Sequence, residues 1–345
     1  MKRIRTEYLI AGAGLAGSVA GYLLKRAGAD VLALEILDAK TKDKLCGGMM
    51  EAVVIDRLGQ MFGSDMMDAL RPVPVPELCE RYAGRELRVP IMLHYALPRK
   101  RLDDYCLARY LEAGGRLLDR TAIRELDDSA GIAVCHDLRT GEPIEAEFER
   151  IIGADGAMSA VRRLLTGRKQ RVGIALEGVV PLTGKDATFE FLYGNTGYRW
   201  YIPQGDEAVA GCGTFSGDAE VCRNGLAAFC KELGIEAPRT VRGAAIPTGD
   251  DILLEYGRRT FFAGDAAGMV EGLTGAGIRQ AVFSARLLAQ SLLEGQSYTE
   301  IMRPDTEFIT DTATDIRKQQ FRRCFFIMRK GEPVERNVIL TGKKL

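Results

Sequence analysis

A short apolar strand, Tyr8-Leu9-Ile10-Ala11, runs directly into Gly12-Ala13-Gly14-Leu15-Ala16-Gly17, and this junction limits the fold more than any other feature of the chain. The small residues have separate tasks. Gly12 allows the tight turn, Gly14 lets backbone approach a phosphate, and Gly17, beside Ala16, lets the next helix pack closely. A helix is predicted from about Leu15 to Ala27, its positive N-terminal end aimed at the phosphates. A second strand, Asp30 to Leu34, ends in Glu35, at the offset where an acid accepts hydrogen bonds from ribose hydroxyls. A dinucleotide with a free 2′-hydroxyl is therefore expected. A turn that binds nothing is the alternative for an isolated glycine motif, and strand, helix, second strand and acid together oppose it. Near the far end of the chain, Arg259-Thr260-Phe261-Phe262-Ala263-Gly264-Asp265 is another strand ending in small residues and one acid.

Composition leaves room for a catalytic protein. At 345 residues and 46% hydrophobic content the chain can bury one large core or two closely joined ones. The net charge is zero and the basic residues are scattered, which opposes nucleic-acid binding. None of the eight cysteines forms a CxxC, and His94 and His136 lie far from metal-ligand spacing, so a reduced, cytoplasmic, metal-free protein is expected. Met1 leads at once into the first strand and no apolar run reaches the ~18 residues that span a bilayer, so any membrane contact is expected at the surface.

The opening βαβ unit is followed by a polar loop, Lys40 to Gly48, and a helix-like stretch from Met50 to Met61. Pro72, Pro74 and Pro76 suggest an irregular crossing. Tyr82 to Tyr95 alternates as a hairpin. A helix is predicted from Leu102 to Ala113, ended by Gly114-Gly115. From about Gln170 to Pro247 the pattern becomes strands separated by Gly, Asp and Asn turns: Arg171–Ala175, Ala187–Leu192, Tyr198–Pro203 and Ala208–Thr214, with one helix, Ala219–Leu233. The predicted architecture is α/β. A Rossmann-like dinucleotide domain (1–75, 99–168 and 251–295) carries an inserted antiparallel β-sheet substrate domain (76–98 and 170–250) and a C-terminal helical segment (296–345). The tail from Tyr298 to Arg329 mixes Arg317, Lys318, Arg322, Arg323, Arg329 and Lys330 with Phe321, Phe325, Phe326 and Met328; it reads as a capping helix in preference to a membrane-surface foot.

A third strand-to-helix turn, Ile152-Gly153-Ala154-Asp155-Gly156-Ala157-Met158-Ser159, stands between the other two. Asp155 is placed there to orient a neighbouring loop or a water. Nucleotide turn, DG turn and GD turn in this order resemble the FAD-dependent oxidoreductases of the para-hydroxybenzoate hydroxylase (PHBH) fold type, over the whole chain. The resemblance implies FAD, with Asp265 hydrogen-bonding the ribityl chain and Gly264 in its turn. Within that superfamily, Lys44-Leu45-Cys46-Gly47-Gly48 looks like the KxCGG loop of the geranylgeranyl reductase family, which lies against the isoalloxazine. Arg99-Lys100-Arg101-Leu102-Asp103 is similar to its RxxFD step, with Leu102 in place of the aromatic, and implies Arg99 as a flavin contact. Gly197-Tyr198-Arg199-Trp200-Tyr201-Ile202-Pro203 is similar to its YxWxFP strand lining a lipid pocket, with Ile202 in place of phenylalanine. The turn Gly275-Ala276-Gly277-Ile278 keeps the glycine pattern whose amides approach the flavin. Glu271 departs from the family and reads as a solvated loop acid or, alternatively, as a group facing substrate.

The implied activity is hydride transfer from reduced flavin N5 to one carbon of a double bond in an apolar, isoprenoid-like substrate, with a proton to the other carbon. Strand alternation puts Tyr198, Trp200 and Ile202 on one face and Arg199 and Tyr201 on the other, so both sets cannot line one pocket. Tyr198 and Trp200 are assigned to substrate, a core role being the alternative. Cys46, Tyr201 and ordered water stay open as proton donors. The electron donor is NAD(P)H or ferredoxin, the latter a partner protein. Two other functions compete: a flavin monooxygenase or halogenase, and an electron carrier reacting with quinone. The CGG loop opposes halogenation, and the cysteine spacing offers no iron–sulfur cluster.

Overall fold

Strand β1 (Lys2–Ala11) lies centrally in a sheet buried on both faces, which is why it ends in an unbroken apolar run instead of an alternation. The structure, a computed structural model, describes residues 1–317 apart from 64, 83–84, 193–196 and 273. After β1 come α1 (Leu15–Arg26) and β2 (Val31–Leu34), then β3 (Met49–Glu51), α2 (Ala52–Phe62) and α3 (Met66–Leu70). The hairpin β4 (Val73–Tyr82) and β5 (Arg85–Ala96) is followed by α4 (Arg99–Glu112) and β6 (Arg116–Leu118). Next are β7 (Thr121–Asp127), β8 (Ile132–Asp137), β9 (Pro143–Gly153) and α5 (Ala160–Thr166). Strands β10 (Val172–Pro181), β11 (Ala187–Phe191), β12 (Gly197–Pro203) and β13 (Glu207–Thr214) precede α6 (Ala219–Leu233) and β14 (Arg242–Pro247). The described chain closes with β15 (Glu255–Tyr256), β16 (Thr260–Phe262), a 3-10 turn over Gly264–Ala267, α7 (Ile278–Glu294) and α8 (Tyr298–Arg317).

Two sheets result. The first runs β15-β16-β9-β1-β2-β6, with β7 and β8 extending from β9. Its β16, β9, β1, β2 and β6 are mutually parallel, so the strands before the three predicted turns, β1, β9 and β16, end side by side. The second runs β14-β10-β13-β12-β11-β4-β5-β3 and is antiparallel except where β11 meets β4. Leu9, Ile10, Val31, Leu32, Ile151 and Ile152 are essentially inaccessible between the first sheet and its helices, each contributing about 1.5–3 kcal/mol by leaving water. Helix α1 packs on α4 and α7. Tyr110 of α4 fills the space left by Gly21 and Gly115 and donates its hydroxyl to Arg116 O at 2.7 Å.

The structure moves several boundaries. Met50 and Glu51, expected to open a helix, instead form β3 with Met49, pair with β5 and belong to the second sheet. The segment with Pro74 and Pro76 is a strand, not a crossing; the pairing with β5 slips between Val75 and Glu77, where Pro76 lacks the N–H that a regular ladder needs. The helix expected from Leu102 starts at Arg99, and β14 was not anticipated. Helix α8 packs on α7, and the Tyr298 hydroxyl donates to Phe262 O at 3.1 Å. The basic and aromatic residues expected beyond Arg317 lie outside the described residues. Among the described residues no helix is long and apolar enough to cross a membrane.

Candidate active site

The first turn is shaped by close backbone approach. Gly12 has φ +95° and packs against the backbone of Ala154 and Asp155, where a Cβ would collide. Gly17 sits against Gly12 O, so helix α1 starts hard against the strand end. Gly14, the N-cap of α1, faces open space and supplies no side-chain cap. The first-turn amides are thereby left for an anion such as a pyrophosphate. Glu35, at the end of β2, accepts from Ala13 N at 3.2 Å and Leu37 N at 3.1 Å and pairs with Lys42 at 3.0 Å. Its carboxylate therefore stands at the mouth of the first turn.

In the turn after β9, Asp155 orients the neighbouring segment instead of reaching outward. Its carboxylate accepts from Ser159 Oγ at 2.6 Å, Ala160 N at 2.7 Å and Val161 N at 3.1 Å, so it caps α5 and holds the Ala154 backbone against Gly12. Gly156, at φ +77°, has open space around it. The third turn packs on the first, since Gly264 lies against Ala16 and Ala281. Asp265 pairs with Lys44 at 2.6 Å and approaches Gly277, the N-cap of α7. Gln170 was missed by sequence reasoning; its Nε2 donates to Ala157 O at 2.6 Å and Asp265 O at 2.8 Å, joining the middle and last turns.

Further along, Arg99 is buried and paired with the equally buried Asp103 at 2.8 Å. Burial alone would lower the Arg99 pKa, but Asp103, Cys46 and Asp265 reverse that and raise it. The guanidinium is permanently charged. The Cys46-Gly47-Gly48 loop is clamped on several sides. Cys46 N donates to Glu177 Oε1 at 2.9 Å, Gln204 Nε2 donates to Gly47 O at 2.6 Å, and Gly48 O accepts from Leu97 N at 3.1 Å. A Cβ on Gly47 would meet Ile202 Cδ1 at 2.5 Å and Trp200 Nε1 at 3.4 Å, so this loop lies directly over the strand of aromatics.

That strand, β12, is buried at every position. Tyr198, Trp200 and Ile202 join Val75, Ile91, Phe191 and Val209 in an apolar cluster, with Leu45 and Met49 packed on it. The Tyr198 hydroxyl abuts Gly275, where φ is +70° and a Cβ has no room. Tyr201 is corrected: it lies on the opposite face among Leu176, Cys212 and Phe229, and its hydroxyl accepts from Thr183 N at 2.8 Å. It cannot serve as proton donor to the pocket. Arg199 shares that face, bridging Glu190 and Glu232 over the Phe229 ring. Glu271 is corrected as well. It is 6% exposed, not solvated, and one carboxylate oxygen accepts from Thr274 N at 2.9 Å and Thr274 Oγ1 at 2.6 Å, shaping the turn before Gly275. Ile278 opens α7 as a buried residue.

The sequence reading also missed Glu177, in β10. It shares the register row Trp200–Gly211–Glu177, which crosses three adjacent strands. Because Gly211 has no side chain, the Trp200 indole lies over it toward Glu177. Glu177 is 2% exposed. Burial pushes its carboxyl up to about 7, against the opposing effects of Cys46 N–H, Arg242 and the Trp200 indole. The indole N–H is a donor near this carboxyl, but neither Trp200 Nε1 nor Glu177 Oε2 completes a well-formed hydrogen bond. A lone acid inside an apolar strand, Val172 to Val180, was the signal available in the sequence.

An open helix N-terminus, an acid at the end of β2 beside that turn, and turns too tight for side chains fit FAD. Comparison with known proteins agrees. Residues 5–222 match the FAD binding domain family. A geranylgeranyl diphosphate reductase of Rhodobacter capsulatus is 28% identical over 305 residues, spanning 84% of this chain and 75% of that one. A menaquinone reductase of Mycobacterium tuberculosis is 29% identical over 318 residues, spanning 83% and 76%. The crystal structure of a geranylgeranyl bacteriochlorophyll reductase-like protein from Thermoplasma acidophilum superposes with TM-score 0.73 at 17% identity, over 93% of this chain and 84% of that one. The chain thus belongs to the FAD-binding-domain family and is an FAD-dependent oxidoreductase with the PHBH-type fold, similar to geranylgeranyl and menaquinone reductases.

Proposed function

We propose that the protein reduces carbon–carbon double bonds in an apolar, isoprenoid-like substrate. One observation carries the reading: the apolar face of β12 touches both glycine segments assigned to the flavin, through Trp200 and Ile202 at Gly47 and through Tyr198 at Gly275. A substrate on that face is held against the ring by a dry wall. The names of the relatives, which include isoprenoid and menaquinone reductases, support the same substrate class. FAD, once bound and reduced, supplies hydride to one carbon of the alkene.

The chain's own residues orient and exclude. Gly12, Gly14 and Gly17 would admit the pyrophosphate, Glu35 would take ribose hydroxyls, and Asp265 would take the ribityl chain. Arg99, fixed by Asp103, would set a positive charge near the flavin. Cys46 sits in the clamped loop, and its thiol accepts from Gly48 N at 3.4 Å. NAD(P)H or ferredoxin would supply the electrons.

The test is a single turnover. The purified protein is reduced with dithionite under argon, mixed separately with isoprenoid lipids, quinones and enones, and followed by flavin reoxidation and product mass. A gain of two hydrogens supports the proposal. A gain of oxygen after admitting air shows a monooxygenase, and reoxidation by quinone without a saturated product shows an electron carrier; either result refutes it.

A further inference from the structure

We propose that Glu177 is the acid that delivers the proton to the second carbon of the double bond. The inference rests on the double-bond reduction proposed above. Three geometric facts carry it. Glu177 Oε1 holds Cys46 N, which fixes the carboxyl against the loop assigned to the flavin. Oε2 is buried and makes no well-formed hydrogen bond, the Trp200 indole N–H lying near enough only to favour its charged form. The side chain also lies on the same face of the second sheet as Ala175, Trp200 and Ile202, the apolar surface assigned to substrate. A buried carboxyl oxygen with no well-formed hydrogen bond is costly unless it carries a proton or meets a ligand. Here the two solutions coincide: a neutral acid with its O–H free to be given.

The groups acting on Glu177 favour that state only moderately. Burial opposes charge and nearby Asp43 does the same, whereas the Cys46 amide, Arg242 and the Trp200 indole favour it. Tyr198 is a further neighbour, and Gly211, opposite on β13, contributes no side chain. The balance leaves the acid able to give and regain a proton near neutrality. In the step, the Glu177 O–H bond breaks as a C–H bond forms on the carbon next to that receiving hydride. The O–H electron pair stays on the carboxylate, and the alkene π pair makes the new C–H bond. Water then returns a proton. Its route is a cavity of about 590 Å³ lined by Glu177, Val209 and Pro238, with exposed Asp43 and Arg242 also on its wall. Tyr201 is turned away.

The sole tryptophan of the chain gives a direct readout, because Trp200 is the indole beside this carboxyl. Trp200 emission of the purified protein, titrated from about pH 5 to about pH 9, is expected to change with a midpoint near 7. The change should vanish in Glu177→Gln. In anaerobic single turnovers Glu177→Gln should slow alkene-dependent flavin reoxidation about 10²-fold or more, leave reoxidation by ferricyanide unchanged, and be partly rescued by Glu177→Asp. A fluorescence transition that survives in Glu177→Gln, or alkene reoxidation at the wild-type rate in that variant, overturns the assignment of Glu177 alone. A wild type that saturates no alkene overturns the reaction itself, while the fluorescence result still reports the carboxyl.

Discussion

Replacing Gly211 by alanine tests the geometry on which the site depends. Gly211 lies between Trp200 and Glu177, and an added Cβ would overlap Cζ2 and Cε2 of the indole and come within 2.7 Å of Cη2. Its φ is not in the left-handed region, so alanine brings no backbone strain and the effect is steric alone. Two responses are available. The indole and its neighbours can shift within the cluster, at about 1–3 kcal/mol for overpacking. Alternatively the ring can be expelled; a tryptophan burying ~150–250 Å² at ~25 cal/mol per Å² would lose about 4–6 kcal/mol. The shift costs less, so Gly211→Ala should destabilise by about 2 kcal/mol in urea unfolding. Trp200 is 5% exposed, and displacement toward solvent should move its emission to the red. Combining Gly211→Ala with Trp200→Leu should recover about 1–2 kcal/mol relative to the sum of the single changes, because the overlap disappears. Unchanged emission and stability in Gly211→Ala would refute the stacking of indole on glycine.

Other changes probe the remaining contacts. Glu35→Ala removes a charged acceptor that also anchors Ala13 N; at about 1.5–3 kcal/mol for such a bond, FAD affinity should fall roughly 10- to 100-fold with the fold intact, measured by flavin retained through dialysis. Wild-type retention would remove Glu35 from the cofactor site. Arg199→Met leaves the partly solvated Glu190 and Glu232 without their shared partner on the face away from the pocket; a loss of about 1 kcal/mol in stability with unchanged Trp200 emission is expected, and a shifted emission would contradict the separation of faces.

What could be read without coordinates depended on how far apart the cooperating residues lie in the chain. The turn from Gly12 to Gly17 and its acid Glu35 form one contiguous βαβ unit, so spacing alone exposes them. Alternation along β12 likewise separated Trp200 from Tyr201, although it could not say which face meets the loop. Gln170 and Glu177 escaped because their partners are distant: Ala157 and Asp265 for the first, Cys46 and Trp200 for the second. Nothing within a few residues of either marks the contact. Glu271 was misread for a related reason. An acid flanked by glycine looks solvated, and its burial comes from the turn it folds around Thr274.

The row Trp200–Gly211–Glu177 has a consequence for how such a pocket diverges. A glycine that exists to receive a neighbour's ring ties two positions into one inherited unit. Losing the ring frees position 211 to acquire a side chain, whereas acquiring the side chain first is penalised while the ring remains. Change is thus ordered: position 200 shrinks before position 211 grows. Directed evolution toward bulkier or more polar substrates should recover the two substitutions in that sequence, with the carboxyl at 177 left facing whatever now fills the gap.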